Sequence, residues 1–207
     1  MVIAEYVGGR LKIHDAPLGT LTNSPPYDWQ TINVGNFVDL SPVNLSERKL
    51  GKFTAVNYGQ GSGAVGLPGD MSPPSRFVRA ALFSHWATPA ATASDTVNLG
   101  FHVINTFDIF NGAIQSEAAD QTPNTKGLLT SEGPLRLVNT DTTEWAVAHD
   151  RTNLKTYVRT YHGLAIQVVD LKKLDFDQPG WRTIDLQNDF APEDITGQGK
   201  PLAGTAK

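Results

Sequence analysis

Leu21-Thr22-Asn23-Ser24-Pro25-Pro26-Tyr27-Asp28-Trp29 marks the point where this chain changes character. The paired prolines end any extended run before them, because proline lacks an N–H and restricts the residue that precedes it. Upstream, Val2 to Val7 and Arg10 to His14 read as two strands around Gly8-Gly9, a hairpin signal. Leu18 to Thr22 reads as a third short extended segment. Downstream, Asp28 is placed to cap a helix with apolar positions at Trp29, Ile32, Val34, Phe37 and Leu40, ending before Pro42.

Residues 41–73 are loop-rich. Ser72-Pro73 then makes a helix start, since proline is tolerated at the first helical position. Arg76 to Trp86 carries a broad apolar stripe at 77, 78, 81, 82 and 86. Ser94-Asp95 opens a second helix with Val97, Phe101, Ile104 and Phe107 or Asp108 along one face, giving an antiparallel helical pair. Residues 111–135 are polar and irregular. Thr143 to His149, Leu154 to Tyr161 and Leu164 to Leu171 read as an antiparallel meander, joined by Asp150-Arg151-Thr152-Asn153 and His162-Gly163. Strands, then helices, then strands argue for an α+β fold and not alternating α/β. The expected organisation is one domain over 1–195 and a flexible tail over 196–207.

With 207 residues the chain is long enough for one domain with a sizeable core. Apolar residues make up 40% and charged residues 18%, and 19 glycines with 13 prolines imply many turns. The net charge of −4 and the lack of a Lys/Arg run argue against nucleic acid as a partner. No apolar run reaches the roughly 20 residues that span a bilayer. Met1 to Arg10 lacks a basic leader region and is interrupted by Glu5, so it does not read as a signal peptide. The compartment, periplasmic or cytoplasmic, depends on sequence upstream of Met1. The chain contains no cysteine, which excludes disulfides, thiolate metal sites and a thiol nucleophile within it.

Gly61, Gly63 and Gly66 formally match a dinucleotide fingerprint, but Leu-Pro-Gly-Asp follows where a helix must open. The loop is read instead as glycine packed against other backbone. The five histidines lack metal-ligand spacing, so no metal is expected, and no cofactor is expected either. No Gly-x-Ser-x-Gly elbow is present, so a serine-hydrolase triad has no anchor. Taken alone, Asn23 is a turn asparagine and Arg76 a surface arginine, although a first-turn arginine opposes the helix dipole. Asp70 reads as a turn residue or an acceptor near the helix, and Arg79 as structural.

Two stretches alter that reading. Leu21-Thr22-Asn23-Ser24-Pro25 with Tyr27-Asp28-Trp29, and Gly63-Ala64-Val65-Gly66-Leu67-Pro68-Gly69-Asp70 with Ser75-Arg76-Phe77, resemble the second half of the choloylglycine hydrolase family. These are bacterial linear-amide hydrolases that include conjugated bile salt hydrolases and penicillin V acylases. The resemblance covers roughly residues 1–190, about the C-terminal 60% of a complete member. It implies an Ntn-hydrolase αββα four-layer sandwich, of which this chain supplies roughly the C-terminal half. In the family the asparagine donates its side-chain amide to the oxyanion hole and the arginine lies beside the sulfur of an N-terminal cysteine, favouring thiolate. Asn23 and Arg76 are therefore the expected catalytic residues, acting on a small N-acyl amide through a thioester. The run from Trp145 to Asp170 resembles the terminal hairpin of the Gram-negative-type branch, tilting the expectation toward hydrophobic acyl amides, with bile salts close behind. Complete members are commonly homotetramers, so a homo-oligomer is implied. With the nucleophile-bearing half absent, the chain alone is expected to be inactive; the alternative is an inactive remnant or binding module of the same fold.

Overall fold

The structure, a computed structural model, describes residues 1–57, 59–115, 127–128, 136–137 and 140–194. It forms two compact units, Met1–Asp141 and Thr142–Lys207. The reading of a tail over 196–207, and most of the irregular stretch expected over 111–135, lie outside the described residues.

The first unit opens with strand β1 (Val2–Val7) paired antiparallel to β2 (Arg10–Asp15), in register from Val2 opposite Asp15 to Val7 opposite Arg10. Gly8 and Gly9 both have positive φ, +58° and +77°, the backbone that a two-residue hairpin turn of matching twist requires. One hairpin face carries Ile3 and Glu5. Ile3 joins Tyr27 and Phe77 in a buried cluster, flanked by Ala16, Leu18 and Val34. The Tyr27 and Phe77 rings meet edge-on with centroids 5.9 Å apart.

The third extended segment expected over Leu18–Thr22 is not a strand. A turn closes there instead, with the Gly19 N–H donating to the Ala16 carbonyl at 3.1 Å and Gly19 at φ +63°. Helix α1 spans Tyr27–Val34 and tightens into a 3₁₀ turn over Gly35–Phe37. It starts two residues earlier than a cap at Asp28 would place it, because its first N–H is taken by a distant carboxylate. The Tyr27 N–H donates to both Glu5 oxygens, at 3.1 and 3.2 Å. Its covered face is also different: Tyr27 and Gln30 are buried, whereas Trp29 and Ile32 of the expected stripe are exposed.

A short hairpin of β3 (Arg48–Leu50) and β4 (Phe53–Ala55) interrupts the following loop, turning at Gly51 with φ +61°. Gly63 packs against backbone: a Cβ there would lie 2.1 Å from the Val43 carbonyl oxygen. Gly61 leads into a 3₁₀ turn over Ser62–Ala64, not into an α-helix.

Helix α2 (Pro73–Trp86) begins after Ser72 with proline at its first positions, as expected, and buries Phe77, Val78 and Ala81. Helix α3 (Ala93–Asn105) begins after Thr92 and buries Phe101. The Thr92 hydroxyl accepts from the Asp95 N–H at 3.1 Å and donates to the Asp95 carboxylate at 2.8 Å, a reciprocal cap. Two-residue strands complete the unit: β5 (Ile114–Gln115) pairs with β8 (Thr140–Asp141), and β6 (Gly127–Leu128) with β7 (Arg136–Leu137).

The second unit holds the expected meander: β9 (Trp145–Asp150), β10 (Lys155–Thr160) and β11 (Gln167–Asp170), antiparallel with β10 in the centre. Asp150 ties the first turn, accepting from the Thr152 and Asn153 N–H groups at 3.1 and 2.9 Å. Leu154 belongs to that turn and not to a strand, with φ +58°.

Candidate active site

Asn23 and Arg76, 53 residues apart in sequence, are in contact. Arg76 Nη2 donates to Asn23 Oδ1 at 2.8 Å. Arg76 stands in the first turn of α2, where its Nε also donates to the Met71 carbonyl at 3.0 Å. A guanidinium has donors only, so the oxygen end of the Asn23 amide must face it. The other end, Nδ2 with its two N–H bonds, remains as the donor that Asn23 presents.

The loop below Arg76 is tied down by Arg79 and Asp70. Arg79 is only 5% exposed. Its Nη1 donates to the Pro68 and Asp70 carbonyls at 2.7 and 2.8 Å, and its guanidinium lies over the Phe107 ring at 5.4 Å. Burial draws its pKa down from the ordinary value while the Asp70 charge opposes the change. The Asp70 carboxylate accepts from the Ser72 N–H at 2.9 Å and from the Ser75 hydroxyl at 2.5 Å. The hydroxyls of Ser72 and Ser75, followed by the Ser72 backbone N–H, hold its pKa down to about 2. A carboxylate at the start of α2 also suits the positive end of that helix and offsets the first-turn arginine.

These groups line an open cleft of about 560 Å³. Asn23, Asp70, Ser72 and Arg76 supply its polar side, Met71, Ile109, Ala113 and Ile114 an apolar wall, and Asp141 another carboxylate. The set offers an N–H donor and a fixed cation beside an apolar surface. The buried Ser75 hydroxyl is engaged by Asp70. Among the described residues, no group of three His, Asp or Glu side chains is arranged to hold a metal ion. No described helix is long and apolar enough to cross a membrane.

Asn23 and Arg76, the two residues that the sequence motifs mark, stand together in the structure. Gln30, Met71 and Asp141 lie outside what those motifs mark. Gln30 carried a usable signal, as a polar residue three positions after Tyr27 and four before Val34, on the covered face of α1. Met71 contributes a carbonyl, which its side-chain identity does not advertise.

In class, this is an α+β chain whose solved neighbours have Ntn-hydrolase folds. A mutant conjugated bile acid hydrolase from Clostridium perfringens superimposes with a TM-score of 0.75 at 24% identity, over 94% of this chain and 53% of that one. Penicillin V acylase from Agrobacterium tumefaciens gives a TM-score of 0.55 at 20% identity, over 84% of this chain and 43% of the other. The family model of the linear amide C-N hydrolases, choloylglycine hydrolase family, matches residues 1–184, and the chain belongs to that family. A bile salt hydrolase/transferase of Clostridium perfringens is 29% identical over 180 residues, covering 85% of this chain and 48% of that protein. One from Lactiplantibacillus plantarum is 37% identical over 107 residues, covering 52% and 33%. The chain thus spans about half the length, or less, of these relatives.

Proposed function

We propose that this chain carries the oxyanion-holding and cation-bearing side of a linear-amide hydrolase site, completed by a thiol that the chain itself does not contain. The reaction is cleavage of a small N-acyl amide, of the conjugated bile salt or penicillin V kind. The contact between Asn23 and Arg76 carries this reading. It leaves an amide N–H donor facing the cleft and a guanidinium beside it. In the reaction, a cysteine thiolate adds to the amide carbonyl carbon. The carbonyl oxygen becomes an anion that Asn23 Nδ2 stabilises, and Arg76 favours the thiolate over the thiol. Collapse breaks the C–N bond as the departing nitrogen takes the proton that the cysteine's α-amine removed from the thiol, and water then hydrolyses the thioester. The cysteine's own α-amine serves as the base.

A second reading, an inactive remnant or binding module of the same fold, is favoured by one observation: the sequence has no cysteine. The coding sequence upstream of Met1 separates the two. An in-frame continuation to a cysteine placed to become N-terminal supports the first reading, and its lack supports the second. The purified 207-residue protein, assayed for amine release from glycocholate, taurocholate and penicillin V, is expected to show none. Turnover by it that is indifferent to iodoacetamide overturns the thiol mechanism.

A further inference from the structure

Behind the turn that presents Asn23 lies a side chain with no exposed surface. Gln30, on α1, is 0% exposed. Its Nε2 donates to the Ser24 carbonyl at 2.6 Å, the Thr22 hydroxyl at 3.0 Å and, at a longer 3.3 Å, the Pro25 carbonyl. These acceptors belong to the residues on either side of Asn23. The orientation of the amide is fixed by chemistry, since carbonyl oxygens only accept. The opposite end, Oε1, is buried and meets no donor among the described residues. A fully buried glutamine with one end unsatisfied is a poor choice for packing alone, because an apolar side chain of like size carries no such penalty. What Gln30 contributes at that depth is the clamp across residues 22–25.

We infer that Gln30 is a positioning residue for Asn23: by gripping both flanks of the turn from the core, it sets where the Asn23 amide stands relative to Arg76. It touches neither substrate nor reacting atoms. It acts through the backbone of Ser24 and Pro25 and the side chain of Thr22. Arg76 is held from its own side by the Met71 carbonyl, so the Asn23–Arg76 contact joins two separately anchored halves. Loss of either anchor lets the amide drift from the geometry that an oxyanion donor must keep. This inference rests on the reading of Asn23 as that donor, but the placement can be tested without turnover.

The test uses the ¹⁵N-labelled 207-residue protein. The Asn23 Nδ2 and Arg76 Nε resonances are assigned by their loss in Asn23→Ala and Arg76→Lys. Gln30→Met, which keeps the volume and removes the donor, is expected to shift both resonances while the Phe77 amide and the thermal midpoint stay near wild type. Thr22→Val, which removes one acceptor of the clamp, is expected to move the same resonances in the same direction by less. Gln30→Glu is expected to resemble wild type at low pH, where a protonated carboxyl can still donate to the Ser24 carbonyl. It should shift toward the Gln30→Met pattern as that carboxyl ionises. Unmoved Asn23 and Arg76 resonances in a folded Gln30→Met protein overturn the inference. So does a general collapse of the spectrum in step with the melting temperature, which marks a merely structural role. If Gln30→Met does not fold, Thr22→Val decides: a shift supports the clamp and no shift overturns it. In a turnover-competent protein, an Asn23→Ala change without effect sinks the oxyanion reading but leaves the clamp standing.

Discussion

At Asp70 a carboxylate at the mouth of the cleft is held by the Ser72 and Ser75 hydroxyls and the Ser72 N–H. Its pKa falls from 3.8 to about 2, so the folded protein binds this proton less readily than the unfolded chain. The stabilisation is therefore complete above pH 4 or so and fades as pH falls toward about 2. Asp70→Asn is expected to lower stability at neutral pH and to flatten the dependence of the urea midpoint on pH between 4 and 2. Parallel curves for the two proteins exclude the effect. Asn23 calls for a different readout. In a preparation that turns over substrate, Asn23→Ala is expected to reduce kcat by about 10²–10³-fold, the usual effect of losing one oxyanion donor. Steady-state kinetics check it, and a change confined to KM counts against the role. That Asn23 and Arg76 belong together could be read from the sequence, because each sits in a multi-residue motif; the structure shows them in contact. The bonds of Gln30 could not be, because its three acceptors become its neighbours only when the chain folds.

Helix α1 shows how an element's boundaries escape local rules. Asp28 has the right chemistry for a cap, yet it sits inside the first turn, engaged by Lys12 at 3.1 Å and by the Trp29 N–H at 2.9 Å. The N-terminal N–H is satisfied by Glu5, 22 residues earlier on β1, whose carboxylate also meets His14 Nε2 at 3.1 Å. Local sequence offers only near neighbours as caps, so a cap borrowed from a strand is invisible to it. Glu5→Ala is expected to destabilise the first unit by about 1 kcal/mol, the typical loss for a helix cap. Asp28→Ala should cost much less, because its ion pair with Lys12 is exposed to solvent. Chemical denaturation of the two variants against wild type measures the difference, and equal losses contradict the assignment. The helices and the meander were legible in outline, since their signals are local: Ser72-Pro73 for α2, and alternation for β10. Their edges were less so, as at Leu154, where the turn held by Asp150 draws a leucine into left-handed backbone.

On the scale of the molecule, the informative surface is the outward face of the first hairpin. Val2, Ala4 and Tyr6 on β1 stand with Leu11 and Ile13 on β2, and Tyr6 at 76% and Ile13 at 61% are open to solvent. The opposite face, which contributes Ile3 to the core, also carries Glu5, Lys12 and His14. The more apolar face is therefore the uncovered one. Strand alternation read from sequence identifies two faces but does not say which is covered, and here both suit a sheet layered on each side. A contiguous apolar face of this kind favours association, and each side chain buried there contributes roughly 1.5–3 kcal/mol when fully covered. The 207-residue protein is therefore expected to self-associate in solution, with an average mass that rises with concentration in sedimentation equilibrium. Tyr6→Lys combined with Ile13→Lys places charge in the middle of the face and is expected to bring the mass down toward that of the monomer without unfolding the hairpin, since Gly8-Gly9 and the pairing of β1 with β2 are untouched. A concentration-independent monomer for the unaltered chain overturns the expectation. Association that survives the double substitution places the contact elsewhere, with exposed Trp181 and Phe190 of the second unit the next residues to change.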